Sequence, residues 1–200
     1  MNAKQDKLEN TLVDLMSDFI ELTDTEKISI LEAFPIKSIK KGTVILEQGK
    51  IAENSFLVIE GCIRQYSISD DGEENTSAFF TEFESAVNFN SMANQRPSKY
   101  YFECIEETTL AVLNSKKENT LYKNHPRFLE VCRTEMEKIL GQEQEKLFEF
   151  VHSTPKERYL SLLKNRGDLI NRVPHYQLAS YLGIKPETFS RIRKRVALVE

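Results

Sequence analysis

The sequence predicts an α+β protein: helices first, then a run of short strands, then helices to the end. Three observations carry this. Between Leu8 and Phe34 apolar residues recur at threes and fours; from Ile36 to Val112 the period falls to about two; from Pro126 helical spacing returns. The middle region is also cut at short intervals by turn signals, at Lys41-Gly42, Gln48-Gly49, Glu60-Gly61 and Asp70-Asp71-Gly72. Many short strands at such spacing predict a β-sandwich or barrel.

The elements follow in order. Leu12, Leu15, Met16 and Phe19 mark a first helical face. Thr23-Asp24-Thr25-Glu26 marks a second helix start, with Ile28, Leu31 and Phe34 expected inward and Pro35 ending it. Strands are expected at Thr43–Leu46, Phe56–Ile59, Ile63–Ile68 and Leu110–Leu113. From Pro126 to about Val151, Leu129, Cys132, Met136, Ile139, Leu140, Leu147 and Phe150 approach a heptad seam, which Glu143 and Lys146 interrupt and Gly141 weakens. A helix of about 25 residues is about 37 Å long. It either pairs with a second copy or lies along its own β domain. Thr154-Pro155-Lys156-Glu157 is a capping box with Pro at the first helical position, so a boundary is set at His152-Ser153. Tyr159, Leu160 and Leu163 are expected inward, Arg166-Gly167-Asp168 turns, and Leu169–Val173 leads on.

The stretch Pro174–Val196 reads as two short helices joined by a tight turn. Leu178, Ala179 and Leu182 share one face, Gly183 sits where positive φ is cheapest, Ile184 plugs the corner and Pro186 opens the second helix. Phe189, Ile192 and Val196 form its inward stripe, while Glu187, Arg191 and Lys194 lie within roughly 60° of one another opposite. This is a helix-turn-helix, whose outer stripe a major groove would meet.

Charge is uneven. Net charge is −4, but residues 1–152 hold 17 basic against 27 acidic side chains, net −10, and residues 153–200 hold 10 against 4, net +6. An acidic body with a basic end is the footprint of a protein that touches nucleic acid at that end. Without an apolar run of membrane-span length or a signal peptide, the chain is expected to be soluble and cytoplasmic, with no membrane partner. Cys62, Cys104 and Cys132 have no metal spacing and read as small core residues, and His125, His152 and His175 are scattered. No metal, no catalytic residue and no enzymatic role are expected.

The segment Pro174–Val196 resembles the DNA-binding motif of the Crp/Fnr family, the cyclic-AMP receptor protein and its relatives, at Gly183-Ile184, Glu187-Thr188 and Ser190-Arg191-Ile192. The resemblance extends to Lys41-Gly42 through Gln48-Gly49, Phe56–Gly61 and Ile63–Tyr66, which look like the opening of a cyclic-nucleotide-binding jelly roll. It implies a β-roll sensor with N-terminal helices over 1–125, a dimerisation helix over 126–152 and a DNA-binding domain over 153–200. That domain is winged-helix-like, its wing short or absent because four residues follow Val196. In the family a Gly-Glu pair and an Arg hold the cyclic phosphate. In Glu84–Phe102 of this chain Val87-Asn88 and Ser98-Lys99 stand there instead, with Arg96 two residues early. An effector pocket is assigned to Asn88, Arg96, Ser98, Lys99 and Tyr100, with three readings open: a cyclic nucleotide, another small molecule, or no ligand at all. No other cofactor is evident; an iron–sulfur cluster is argued against by the absence of cysteines before Cys62, and haem is not expected.

The expected function is a sequence-specific transcriptional regulator that reads a near-palindromic site as a homodimer through 126–151. Its implied partners are double-stranded DNA, RNA polymerase and an unidentified effector. Base contacts fall to Glu187, Arg191 and Lys194; Arg191 suits the O6 and N7 of guanine. Phosphate contacts fall to His175, Tyr176, Lys185, Thr188, Ser190 and Arg195. Arg193 lies beside the inward stripe and snorkels to the surface. The competing reading is a dimeric ligand-sensing or scaffolding protein of the same fold that does not read DNA.

Overall fold

The computed structural model describes residues 3–198. They form two compact units. One runs up to Gln65 and from Phe79 to Met136; the other joins Tyr66–Ala78 to the residues from Glu137 onward.

The first unit opens with helices α1 (Ala3–Ser17) and α2 (Asp24–Ala33). Eight strands follow: β1 (Ile36–Ile39), β2 (Val44–Leu46), β3 (Asn54–Glu60), β4 (Ile63–Ile68), β5 (Glu74–Phe80), β6 (Ser85–Ala86), β7 (Tyr101–Cys104) and β8 (Thr108–Asn114). A short helix, α3 (Phe89–Asn94), separates β6 from β7. The strand orders β1-β8-β3-β6 and β2-β7-β4-β5 are those of a jelly roll. The β-roll expected from the sequence is therefore present.

Alternation explains why this sheet can carry helices. In β3 and β8, which pair antiparallel with Leu57 opposite Ala111, both faces are apolar. Phe56, Val58 and Leu110 point into the roll with Leu46, Ile63 and Phe102. Leu57, Ile59, Ala111 and Leu113 point outward against Leu12, Ile30, Leu121 and Phe128. Removing such strands from water on both faces is what stabilises the roll, at roughly 1.5–3 kcal/mol per large apolar side chain. At the β3–β4 turn Gly61 is required twice over: its φ is 105°, and a Cβ there would meet Thr108 Cα at 2.7 Å. Cys62 and Cys104 are buried, and burial pushes the Cys104 thiol up to about 11.

The N-terminal helices depart from the expected faces. Thr23 caps α2 in a full capping box with Glu26. The buried stripe is then Glu26, Ile30 and Ala33, so Ile28, expected inward, is 59% exposed, and Phe19 is exposed too. The cause is Glu26: its carboxylate caps Thr23 and meets Arg127 Nε at 2.7 Å, which pins that edge of the helix inward. Its pKa is lowered, first by the Thr23 backbone N–H, against burial, then by the Thr23 hydroxyl, Arg127 and His125. Helix α4 (Ser115–Asn124), which no sequence pattern foretold, is capped by Asn114 and buries Leu121.

Helix α5 (Arg127–His152) runs through 26 residues. It is followed by α6 (Pro155–Arg166), α7 (Leu169–Arg172), α8 (His175–Tyr181) and α9 (Pro186–Val196). Thr154 and Glu157 make the expected capping box. Backbone and hydroxyl hydrogen bonds from Thr154 hold the Glu157 carboxyl below its usual range. In α6 Tyr159 and Leu162 are buried, whereas Leu160, expected inward, is exposed. Once the cap fixes the helix start, Tyr159 turns edge-on to Phe189 at 5.4 Å and sets the buried face.

Candidate nucleic-acid interface

The interface is built on Phe189. It is fully buried, with Tyr159 against one edge and His175 tilted over it at 5.5 Å. Leu178, Ala179 and Leu182 close the small core from α8. The turn out of α8 is a Schellman motif: Ile184 N–H donates to Ala179 O and Gly183 N–H to Ser180 O, at 3.0 and 2.9 Å. Gly183 takes φ +64°, which this motif needs at that position. Pro186 opens α9 with its fixed φ, where no donor is missed.

With Phe189 inward and Ile192 and Val196 half-buried, the opposite face is set. Glu187, Arg191 and Lys194 are all exposed, one turn apart along α9. Arg191 is held against its own helix, Nη2 donating to Thr188 Oγ1 at 3.1 Å and Nε to Glu187 O at 3.4 Å. That pose keeps the guanidinium on the outer stripe rather than folded inward. Lys185, Ser190 and Arg195 are also exposed, and Thr188 is half-buried. At the start of α8 His175 and Tyr176 are exposed, and Tyr176 OH accepts from Gln177 Nε2 at 3.2 Å. The structure therefore brings the nine assigned residues onto two neighbouring helix segments.

Arg193 is where the sequence told least. It does not simply reach solvent: its Nη1 lies 3.0 and 3.1 Å from the two ring nitrogens of His175. The spacing of eighteen residues between the partners left no local signal for this pair. The other side of α8 is tied to the β4–β5 hairpin. Ser180 Oγ accepts from Thr76 N–H at 2.9 Å and donates to Glu74 O at 3.2 Å, capping two backbone groups of edge strand β5.

The effector residues fall into two groups. Asn88 and Ser98 are buried and hydrogen-bonded to each other, Asn88 Nδ2 donating to Ser98 Oγ at 2.7 Å. Asn88 Oδ1 caps α3 by accepting from Ser91 N–H, and Ser91 Oγ accepts from Ala52 N–H while donating to Arg96 O. Ser98 Oγ in turn meets the backbone of Tyr100, and its own backbone pairs with Gly49 and Lys50. These side chains close a polar knot. Arg96 and Lys99 stand outside it, exposed, and Tyr100 is half-buried at its side. Among the described residues no group of His, Cys, Asp and Glu is arranged to hold a metal ion.

Comparison with known proteins places this geometry. The cyclic nucleotide-binding domain model matches residues 36–125. The transcriptional activator protein Anr of Pseudomonas protegens is 23% identical over 170 residues, 80% of this chain and 69% of its own. The transcriptional activator protein FnrA of Stutzerimonas stutzeri is 25% identical with the same coverage. Among solved structures the c-di-GMP-responsive global regulator CLP of Xanthomonas campestris aligns with a TM-score of 0.69 at 16% identity, covering 88% of this chain and 92% of its own. Residues 36–125 thus match a cyclic nucleotide-binding domain, over 80% of its length the chain is similar to two transcriptional activators, and its fold is shared with CLP.

Proposed function

We propose that this chain is a DNA-binding transcriptional regulator that reads a near-palindromic site as a homodimer, with α9 in the major groove. The observation that carries the reading is the exposed stripe Glu187–Arg191–Lys194 backed by the buried Phe189. Arg191 supplies a guanidinium fork for guanine, and Glu187 accepts from cytosine N4 or orients Arg191. Lys194 completes the base-facing stripe. His175, Tyr176, Lys185, Thr188, Ser190 and Arg195 position the helix on phosphates. The net +6 of residues 153–200 supports non-specific attraction to the duplex.

A second copy pairs along α5. Leu129, Met136, Leu140, Leu147 and Phe150 are exposed there, Leu140 by 61% and Leu147 by 64%, on one helical stripe. Leaving such a stripe in water is unfavourable by about 25 cal/mol per Å², and parallel pairing with a second α5 removes it. Pairing also sets two recognition helices about 34 Å apart, one turn of the duplex. The division into sensor (1–125), connecting helix (126–152) and reader (153–200), RNA polymerase as a partner and a cytoplasmic location belong to this same reading.

A small effector in the β-roll biases the arrangement of the readers. Asn88, Ser98 and Tyr100 line its site and Arg96 and Lys99 supply charge at its rim. The Asn88–Ser98 bond favours a ligand other than a cyclic nucleotide, because a cyclic phosphate would have to replace hydrogen bonds already made. Titration of random and selected duplexes at two salt concentrations tests the function. The reading expects a selected sequence to be preferred at both salts; equal affinity for every duplex, or none, would return the chain to the scaffolding class. A thermal-shift screen of cyclic nucleotides and small metabolites tests the effector, since a bound ligand raises apparent stability.

A further inference from the structure

Phe150 occupies two places at once. On α5 it belongs to the exposed apolar stripe, yet part of its ring is covered by the reader, leaving it 44% exposed. Its cover is the turn between α8 and α9: a Cβ built on Gly183 would come within 3.1 Å of the Phe150 ring and 3.2 Å of Arg158 Nη1. A Cβ there would oblige the ring to give way by a few tenths of an ångström. From α6 the Arg158 guanidinium lies over the same ring, 4.5 Å from its centroid. The Arg158 Nε is buried and makes no hydrogen bond, so stacking on the ring rather than polar pairing holds this part of the side chain. The ring thus joins the C-terminal part of α5, α6 and the α8–α9 turn, all within the second compact unit.

We propose that Phe150, clasped by Arg158 and seated on Gly183, is the positioning residue that fixes the reader to the dimer helix and so sets the permitted spacing between half-sites. This rests on the DNA-reading function argued above. The physical reason is geometric. Gly183 already has a required conformation for the Schellman turn, so the seat it offers is rigid and the direction of α9 follows the ring. Adding one base pair between half-sites moves them by about 3.4 Å and turns them by about 34°. A reader held at three points cannot follow such a change, whereas one released from the ring can.

The test compares duplexes bearing two selected half-sites with spacers changed by one base pair in either direction, and a duplex with a single half-site. The wild-type chain is set against R158A and against R158Q, both at a residue that lies off the α5 stripe and takes no part in the proposed pairing; sedimentation confirms that each remains dimeric. Wild type should lose at least about tenfold in affinity when the spacer changes, as expected for losing correct base contacts at one half-site. Both variants should reduce that discrimination to about twofold or less while holding single half-site affinity close to wild type, because no base-reading group changes. Variants that keep the wild-type spacer discrimination overturn the assignment and leave the DNA-reading function standing. A wild-type chain that binds no duplex overturns both.

Discussion

In the proposed function, base reading turns on Arg191. It is exposed and, among the described residues, bonded to Glu187 and Thr188 of its own helix, so removing it should leave the fold unchanged. Arg191→Ala should cost about 1–3 kcal/mol at one base pair and relax preference there, which titration against duplexes varied at each position would measure. Uniform weakening across all sequences would make it a phosphate contact instead. In the β-roll, Asn88→Ala and Ser98→Ala should each cost about 1–3 kcal/mol, since each strands buried partners. Their double mutant should lose less than the sum of the two, a coupling that urea unfolding reads directly. Glu26 sets an acid dependence. Its folded pKa is lowered, so its contribution to stability is complete above the ordinary glutamate value of 4.5 and disappears as pH falls through the folded pKa. Glu26→Gln should therefore flatten unfolding midpoints below pH 4.5 and lower them above it. An unchanged acid slope would place the dependence elsewhere.

At the scale of elements, α5 is the decisive one. Leu140→Glu places a charge in the middle of the exposed stripe, at a side chain that is 61% exposed, and should shift sedimentation toward monomer at micromolar concentration without lowering helix content. An unaltered dimer would mean that the copies meet elsewhere. Much of the element order was legible because it is written locally: capping boxes at Thr23 and Thr154, the glycines at the turns, and a period change at Ile36. Faces were less legible. Ile28 and Leu160 both lie where periodicity alone puts a core residue. The capped helix starts and the partners Arg127 and Phe189, distant in sequence, turn neighbouring positions inward instead. Of the interface, the outer stripe of α9 could be read from spacing; the clasp of Arg193 on His175, the Ser180 bridge to β5 and the seat of Phe150 on Gly183 could not. Those contacts join segments between eighteen and over a hundred residues apart. No periodicity within one helix encodes them.

For the whole molecule, the account is of an acidic β-roll, net −10 up to His152, joined to a basic reader, net +6. In the proposed function the acidic part would discourage the body from lying on DNA, and the basic part would draw the readers to it. Binding should therefore be strongly salt-dependent, falling by about 10³–10⁵-fold between 50 and 200 mM salt if six to ten phosphates are neutralised. Similarity to two transcriptional activators supports the proposed regulator, and the geometry of α9 nominates the residues that would do the reading. The most direct measurement is a titration of the purified chain onto its selected duplex and onto random duplex, with stoichiometry determined at the same two salt concentrations. The account predicts two protomers per duplex and a preference of at least about 10³-fold for the selected sequence. One protomer per duplex, or equal affinity for both duplexes at either salt, would contradict it.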